Sequence, residues 1–122
     1  MGRKLVPGVD KIDEDWVKKE VKLALNAYTK LHYYMPVAGV YGKSGTHDFI
    51  ICQRGLFWSI ETKAGSNKPT DNQIDFAEDI RKAGGISLCI NERTIAEVHY
   101  VCQWVRDHGT LPAGHNFEAY RK

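Results

Sequence analysis

A chain of 122 residues with 43% apolar and 26% charged residues suits one soluble domain around a single core. A net charge of +2 neither requires nor forbids a nucleic-acid partner, because a basic groove can sit within a nearly neutral total. No apolar run is long enough to span a bilayer, and the opening MGRKLVPGVDKIDEDW lacks the apolar stretch of a secretory signal.

Residues 1–11 read as an N-terminal arm. Over 12–31, Val17, Val21, Ala24, Leu25 and Tyr28 recur at helical spacing, and Asp13, Glu14 and Asp15 crowd the first turn, where they favour the helix dipole. Pro36 with Gly39, Gly42 and Gly45 marks a loop region that is expected to hold a short strand near 35–40. Two apolar strands follow at 49–52 and 56–62, with a turn at Arg54-Gly55. Thr70 behind Pro69 can cap a second helix, with Gln73 at its third position completing a capping box, and Gly84-Gly85 stops it. ISLCI reads as a buried strand, and 94–108 as a last helix that Gly109 ends. The order of elements suits a small mixed α/β layer, with 12–108 as the domain and 109–122 as a tail, a surface arm or partner contact.

Cys52, Cys89 and Cys102 are an odd set without paired spacing, each in an apolar run; they are expected to be buried thiols in a reducing cytoplasm. The five histidines show no metal-ligand spacing.

The chemistry concentrates in GTHDFIICQRGLFWSIETKAG. Residues two apart on a strand lie on one face about 6.5 Å apart, so Glu61 and Lys63 project together and Thr62 away from them. If the two strands pair antiparallel across Arg54-Gly55, Asp48 faces the Glu61–Thr62 region. Two carboxylates then converge beside an amine. A hard cation with oxygen ligands, Mg²⁺ or Mn²⁺, would remove their repulsion better than zinc, and could polarise a phosphate or acidify a water while Lys63 orients or helps deprotonate it. The same spacing also occurs as solvated charge at a sheet edge.

The ordered set KKEVKLAL, YYMPVAGVYGKSG, the HDFIICQRGLFWSIETKAG hairpin, NKPT, the following Gln73 and ISLCI resembles the stand-alone phage and bacterial VRR-NUC domains of the PD-(D/E)XK nuclease superfamily, over about residues 14–105. The resemblance implies a restriction-endonuclease-like α/β core, a small mixed sheet flanked by helices, and a Mg²⁺- or Mn²⁺-dependent endodeoxyribonuclease. It implies that Asp48 and Glu61 bind the metal, with the Thr62 carbonyl available, that Lys63 acts near the attacking water, and that Gln73 lines the site in competition with its capping role. Such folds add a Glu from the first helix. Taking Val17 as zero, Glu14 and Glu20 lie at about +60° and −60°, so geometry leaves both open; the family spacing, three residues before Val17-Lys18-Lys19, selects Glu14. His47 departs from the small residue usual before the Asp, and is expected to be a neutral replacement.

GKS at 42–44 is not a nucleotide-binding loop, because Val37 stands where that motif needs glycine and a strand follows in place of a helix. Lys43 and Ser44 in the glycine loop, and Lys18 and Lys19 on the first helix, are candidates for contact with a nucleic-acid backbone, against the alternative of a plain turn and a solvated face. Tyr33 and Tyr34 alternate faces, so one belongs to the core. The expected partner is DNA, with branched DNA such as four-way junctions preferred, cut by a homodimer in the cytoplasm, a host's if the gene is a phage's. The dimer is expected to cover apolar residues of the arm and tail: Leu5, Val6, Leu111, Phe117 and Tyr120. The alternatives are a nuclease for ordinary duplex or single-stranded DNA, and a module of the same fold that binds nucleic acid without chemistry.

Overall fold

The computed structural model describes residues 12–37, 44–113 and 120. Asp13 caps the first helix, α1 (Glu14–Asn26), its carboxylate accepting the Trp16 N–H. β1 (Leu31–Tyr34), β2 (Phe49–Gln53) and β3 (Leu56–Thr62) form an antiparallel meander. After α2 (Asp71–Lys82), β4 (Ile86–Ile90) joins parallel to β3, giving the order β1-β2-β3-β4, and α3 (Ile95–His108) closes the series. Among the described residues no helix is long and apolar enough to cross a membrane.

Alternation sorts the sheet into two faces. Phe49, Ile51, Trp58, Ile60, Ile86, Leu88 and Ile90 form one core with Val17, Val21 and Leu25 of α1 and Val98, Val101 and Val105 of α3. The opposite face carries Ile50, Ser59, Glu61, Ser87 and Cys89, and α2 buries Ala77 and Ile80 on that side. The β2–β3 turn takes Arg54 at φ 50° and Gly55 at φ 80°, the pair of left-handed residues that a tight hairpin requires. The Arg54 guanidinium then donates to the carbonyls of Val105 and Arg106, satisfying the end of α3.

Several expectations need correcting. The first helix stops at Asn26, and the strand after it is Leu31–Tyr34 rather than 35–40, of which 35–37 are not strand and 38–40 lie outside the described residues. Lys30, at φ 57°, turns the chain, and Leu31–Tyr34 then gains a partner in Gln53–Ile50 that a fourth helical turn would forgo. Cys52 is exposed, because it alternates away from the main core next to exposed Phe57; Cys89 is half-buried and Cys102 buried. The tail is not all surface: Leu111 packs on the core and Tyr120 is buried. Leu5, Val6 and Phe117 lie outside the described residues, as does the 1–11 arm. Tyr33 packs against the core while Tyr34 is exposed, as alternation requires.

Candidate active site

The hairpin register sets the geometry. Phe49 pairs with Ile60, so one step further puts Asp48 across from Glu61 at the end of β3. Asp48 Oδ2 accepts the Thr62 N–H at 2.9 Å and the Thr62 hydroxyl at 2.6 Å. Two donors to one oxygen hold the carboxylate in a single orientation. Its other oxygen, Oδ1, lies 3.8 Å from Lys18 Nζ.

Among the described residues Glu61, Gln53 and Trp58 each keep one buried side-chain atom without a hydrogen-bond partner, and of the three only Glu61 is a carboxylate. It is 3% exposed. Oε2 accepts from Gln73 Nε2 at 2.9 Å and lies 3.5 Å from Lys63 Nζ. Oε1 is buried and has no hydrogen-bond partner among the described residues. Burial pushes the Glu61 carboxyl up to about 8; the Asp48 charge adds to the rise, Lys63 opposes it, and Glu14 adds a little more. A domain does not gain stability from a carboxylate held in this way.

The first turn of α2 supplies the support. Gln73 was expected to choose between cap and site, but an amide has two ends and this one uses both. Its Oε1 accepts the Thr70 N–H at 2.9 Å while its Nε2 reaches Glu61, and Thr70 Oγ1 accepts the Gln73 N–H. The cap therefore aims the donor. His47, the departure from the small residue usual before the Asp, is 1% exposed, with Nδ1 at 2.9 Å from Ser59 Oγ and Nε2 at 2.9 Å from the Gln73 carbonyl. Burial pulls its pKa down to about 4, so the ring is neutral at pH 7.

The remaining candidates separate by place. Lys18 faces Asp48, an ion-pair partner within the site and not a remote basic face. Glu14 stands one helical turn before Lys18, on the same side of α1, and its charge reaches Glu61, whereas Glu20 lies on the other flank. Lys19 is exposed on α1. Ser44 is exposed, and its hydroxyl accepts from Asn72 Nδ2 at 2.7 Å, so the glycine loop is tied to the start of α2; Lys43 lies outside the described residues. Sequence reasoning missed the Thr62 hydroxyl, Cys89 and Tyr120. Cys89 pairs with Glu61 across β3–β4, and burial, with the Glu61 charge second, pushes its thiol up to about 11. Tyr120 stacks on His47 and donates to the Leu88 carbonyl. Only the Cys89 pairing had a signal, the alternation of ISLCI.

Among the described residues no three His, Cys, Asp or Glu side chains form a ready-made cluster. Two carboxylates are nevertheless the share a protein gives Mg²⁺ when water and a substrate phosphate supply the rest. The unpartnered Glu61 oxygen and the suppressed ionisation of Glu61 are what a hard cation would relieve, so Asp48 and Glu61 fit such an ion.

The fold is that of a solved structure described as a VRR_NUC domain, with a TM-score of 0.56 and 24% identity over 78% of this chain and 95% of that one. No family model and no curated protein matches the chain. At that identity the likeness is one of fold, and it spans most of both chains.

Proposed function

We propose that the chain is a divalent-cation-dependent endonuclease that hydrolyses DNA phosphodiester bonds. The observation that carries this reading is the buried, unpartnered oxygen of Glu61 beside Asp48 and Lys63 at one end of the sheet. The name of the solved neighbour agrees with it.

Asp48 and Glu61 would hold the cation, Mg²⁺ or Mn²⁺, with the Thr62 carbonyl as a further donor. When bound, the ion polarises the phosphate and makes water more acidic. The protein's own part is positional. Thr62 fixes Asp48, and Gln73 fixes Glu61. Lys63 Nζ, 3.5 Å from Glu61, would donate to the attacking water and hold it, and the water's proton would leave to solvent as its oxygen bonds to phosphorus. The bond from phosphorus to the leaving sugar oxygen then breaks, and that oxygen gains a proton from solvent or from an acid at the site. Glu14 extends the acidic side of the site from α1, and Lys18, Lys19, Lys43 and Ser44 are the candidates for contact with the DNA backbone.

Within that class we favour branched DNA, four-way junctions above all, cut by a two-fold homodimer, since paired sites suit paired strands. Labelled linear, flap and four-way DNAs, each with Mg²⁺, Mn²⁺ or EDTA, test the reading. Cleavage should need the cation. Glu61→Ala and Asp48→Asn should abolish it, and Lys63→Ala should lower it by about two to four orders of magnitude with the fold intact. Wild-type rates in either Glu61→Ala or Lys63→Ala would show the site to be misassigned.

A further inference from the structure

The His47 ring is held on all sides, in a way that its surroundings alone do not demand. A carbonyl only accepts, so the bond to Gln73 O places the ring proton on Nε2. Nδ1 must then accept from the Ser59 hydroxyl, and the Ser59 oxygen in turn accepts from the Ser87 hydroxyl at 2.7 Å. All three residues are buried. Phe76 tilts against one part of the ring at 4.6 Å between centroids, and Tyr120 stacks on it at 5.3 Å and 12°. An apolar side chain could fill this space, but it would leave the Ser59 hydroxyl and the Gln73 carbonyl without the bonds that the ring makes to them. What the relay provides is direction. It runs from β4 through β3 to the carbonyl of Gln73, the residue whose amide holds Glu61, and its ring immediately precedes Asp48 in the chain.

We propose that His47 is a positioning residue: clamped between Phe76 and Tyr120, its Nε2–H fixes the first turn of α2 so that Gln73 holds Glu61 by one oxygen and leaves the other without a partner. The catalytic part of this inference rests on the nuclease reading above; the geometric part does not. The test compares wild type with His47→Gln, His47→Asn and His47→Phe. Gln reproduces a donor near the Nε2 position, Asn reproduces only the end that faces Ser59, and Phe keeps the stacking and loses both bonds. Three readouts apply: the Gln73 side-chain amide resonances in cation-free protein, Mn²⁺ affinity, and kcat and KM for the best DNA substrate. His47→Gln should stay near wild type in all three. His47→Asn and His47→Phe should shift the Gln73 amide toward solvent-exposed values and weaken Mn²⁺ binding by about 10–100-fold, with kcat falling and KM for DNA unchanged. His47→Phe performing as well as His47→Gln would overturn the proposal, as would a Gln73 amide unchanged across the series. If His47→Phe does not fold, the Gln and Asn pair decides alone, and equal behaviour of the two overturns it. A wild type that cleaves no DNA defeats the nuclease reading, while the amide resonances and the Mn²⁺ titration still decide the role of His47.

Discussion

A single side chain, Glu61, accounts for most of what this molecule can be expected to do, and its protonation gives a direct check. In the cation-free protein its carboxyl sits near 8 because burial, then the Asp48 charge, disfavour ionisation. In the unfolded chain it titrates at the ordinary value near 4.5. Between those values the folded state keeps a proton that the unfolded state has lost, so this group's contribution to stability falls as pH rises from about 4.5 to about 8 and is level on either side. Denaturant melts in EDTA across that window should show the fall, and Glu61→Gln, which cannot ionise, should flatten it and be the more stable chain at pH 8. Mg²⁺ should reverse the wild-type deficit at pH 8, because a ligand that binds only the folded form stabilises it. A wild type and a Glu61→Gln variant with parallel pH profiles would mean that Glu61 is not held as described. At this scale the sequence was informative about Asp48, Glu61 and Lys63, whose alternation on one hairpin is a local signal. It marked His47 as a departure but was silent on its partners, Ser59 and Gln73, which come 12 and 26 residues later and converge only when α2 docks. A lone buried histidine has no periodicity to betray it.

Elements decide what residue patterns leave open. Helix phase places Glu14 and Glu20 on opposite flanks of one apolar stripe; the family spacing favours Glu14, and the docked α1 gives that choice a geometric reason. Lys18, one turn after Glu14, lies 3.8 Å from Asp48, so that flank faces the site. Glu14→Gln should therefore reduce cleavage more than Glu20→Gln in paired rate measurements under matched Mn²⁺; the reverse order would transfer the role to Glu20. The second element-scale device is Gly45. It sits at φ +82°, and a Cβ there would collide with the Asn72 backbone carbonyl in the first turn of α2. Backbone cannot yield as a flexible side-chain end can, so Gly45→Ala must displace the turn that carries Gln73. It should cost about 2 kcal/mol or more in chemical denaturation and weaken Mn²⁺ binding as well; loss of neither would separate the glycine loop from the site. The capping box, the Arg54-Gly55 turn and Gly109 were legible because each is a local residue preference with a local cause. The end of α1 was not, since neither glycine nor proline follows Asn26, and the left-handed turn at Lys30 is imposed by pairing with β2.

At the scale of the whole molecule, the fold brings the start of β2, the end of β3 and the start of α2 to one end, and Tyr120 stacks on His47 there. That contact changes the argument for assembly. Leu111 and Tyr120 read in the sequence as apolar surface in need of a partner, but Tyr120 is buried and Leu111 partly buried by their own chain. The tail GTLPAGHNFEAYRK has scattered apolar residues without a strand or helix period, so nothing in it would have shown this. What still motivates a dimer is the branched substrate proposed above: two cuts at fixed separation on symmetry-related strands would need two sites related by a two-fold axis. The described surface has apolar area to spare for such a contact, since Tyr34 is 56% exposed on the outer strand β1 and Val37, just beyond it, 88%. Light scattering at micromolar protein should give about twice the chain mass of 13.8 kDa. The same measurement with four-way DNA should add one junction to that dimer. A monomer mass that persists both free and with junction bound would remove the dimer and, with it, the preference for branched DNA, leaving a single-site nuclease that nicks one strand at a time.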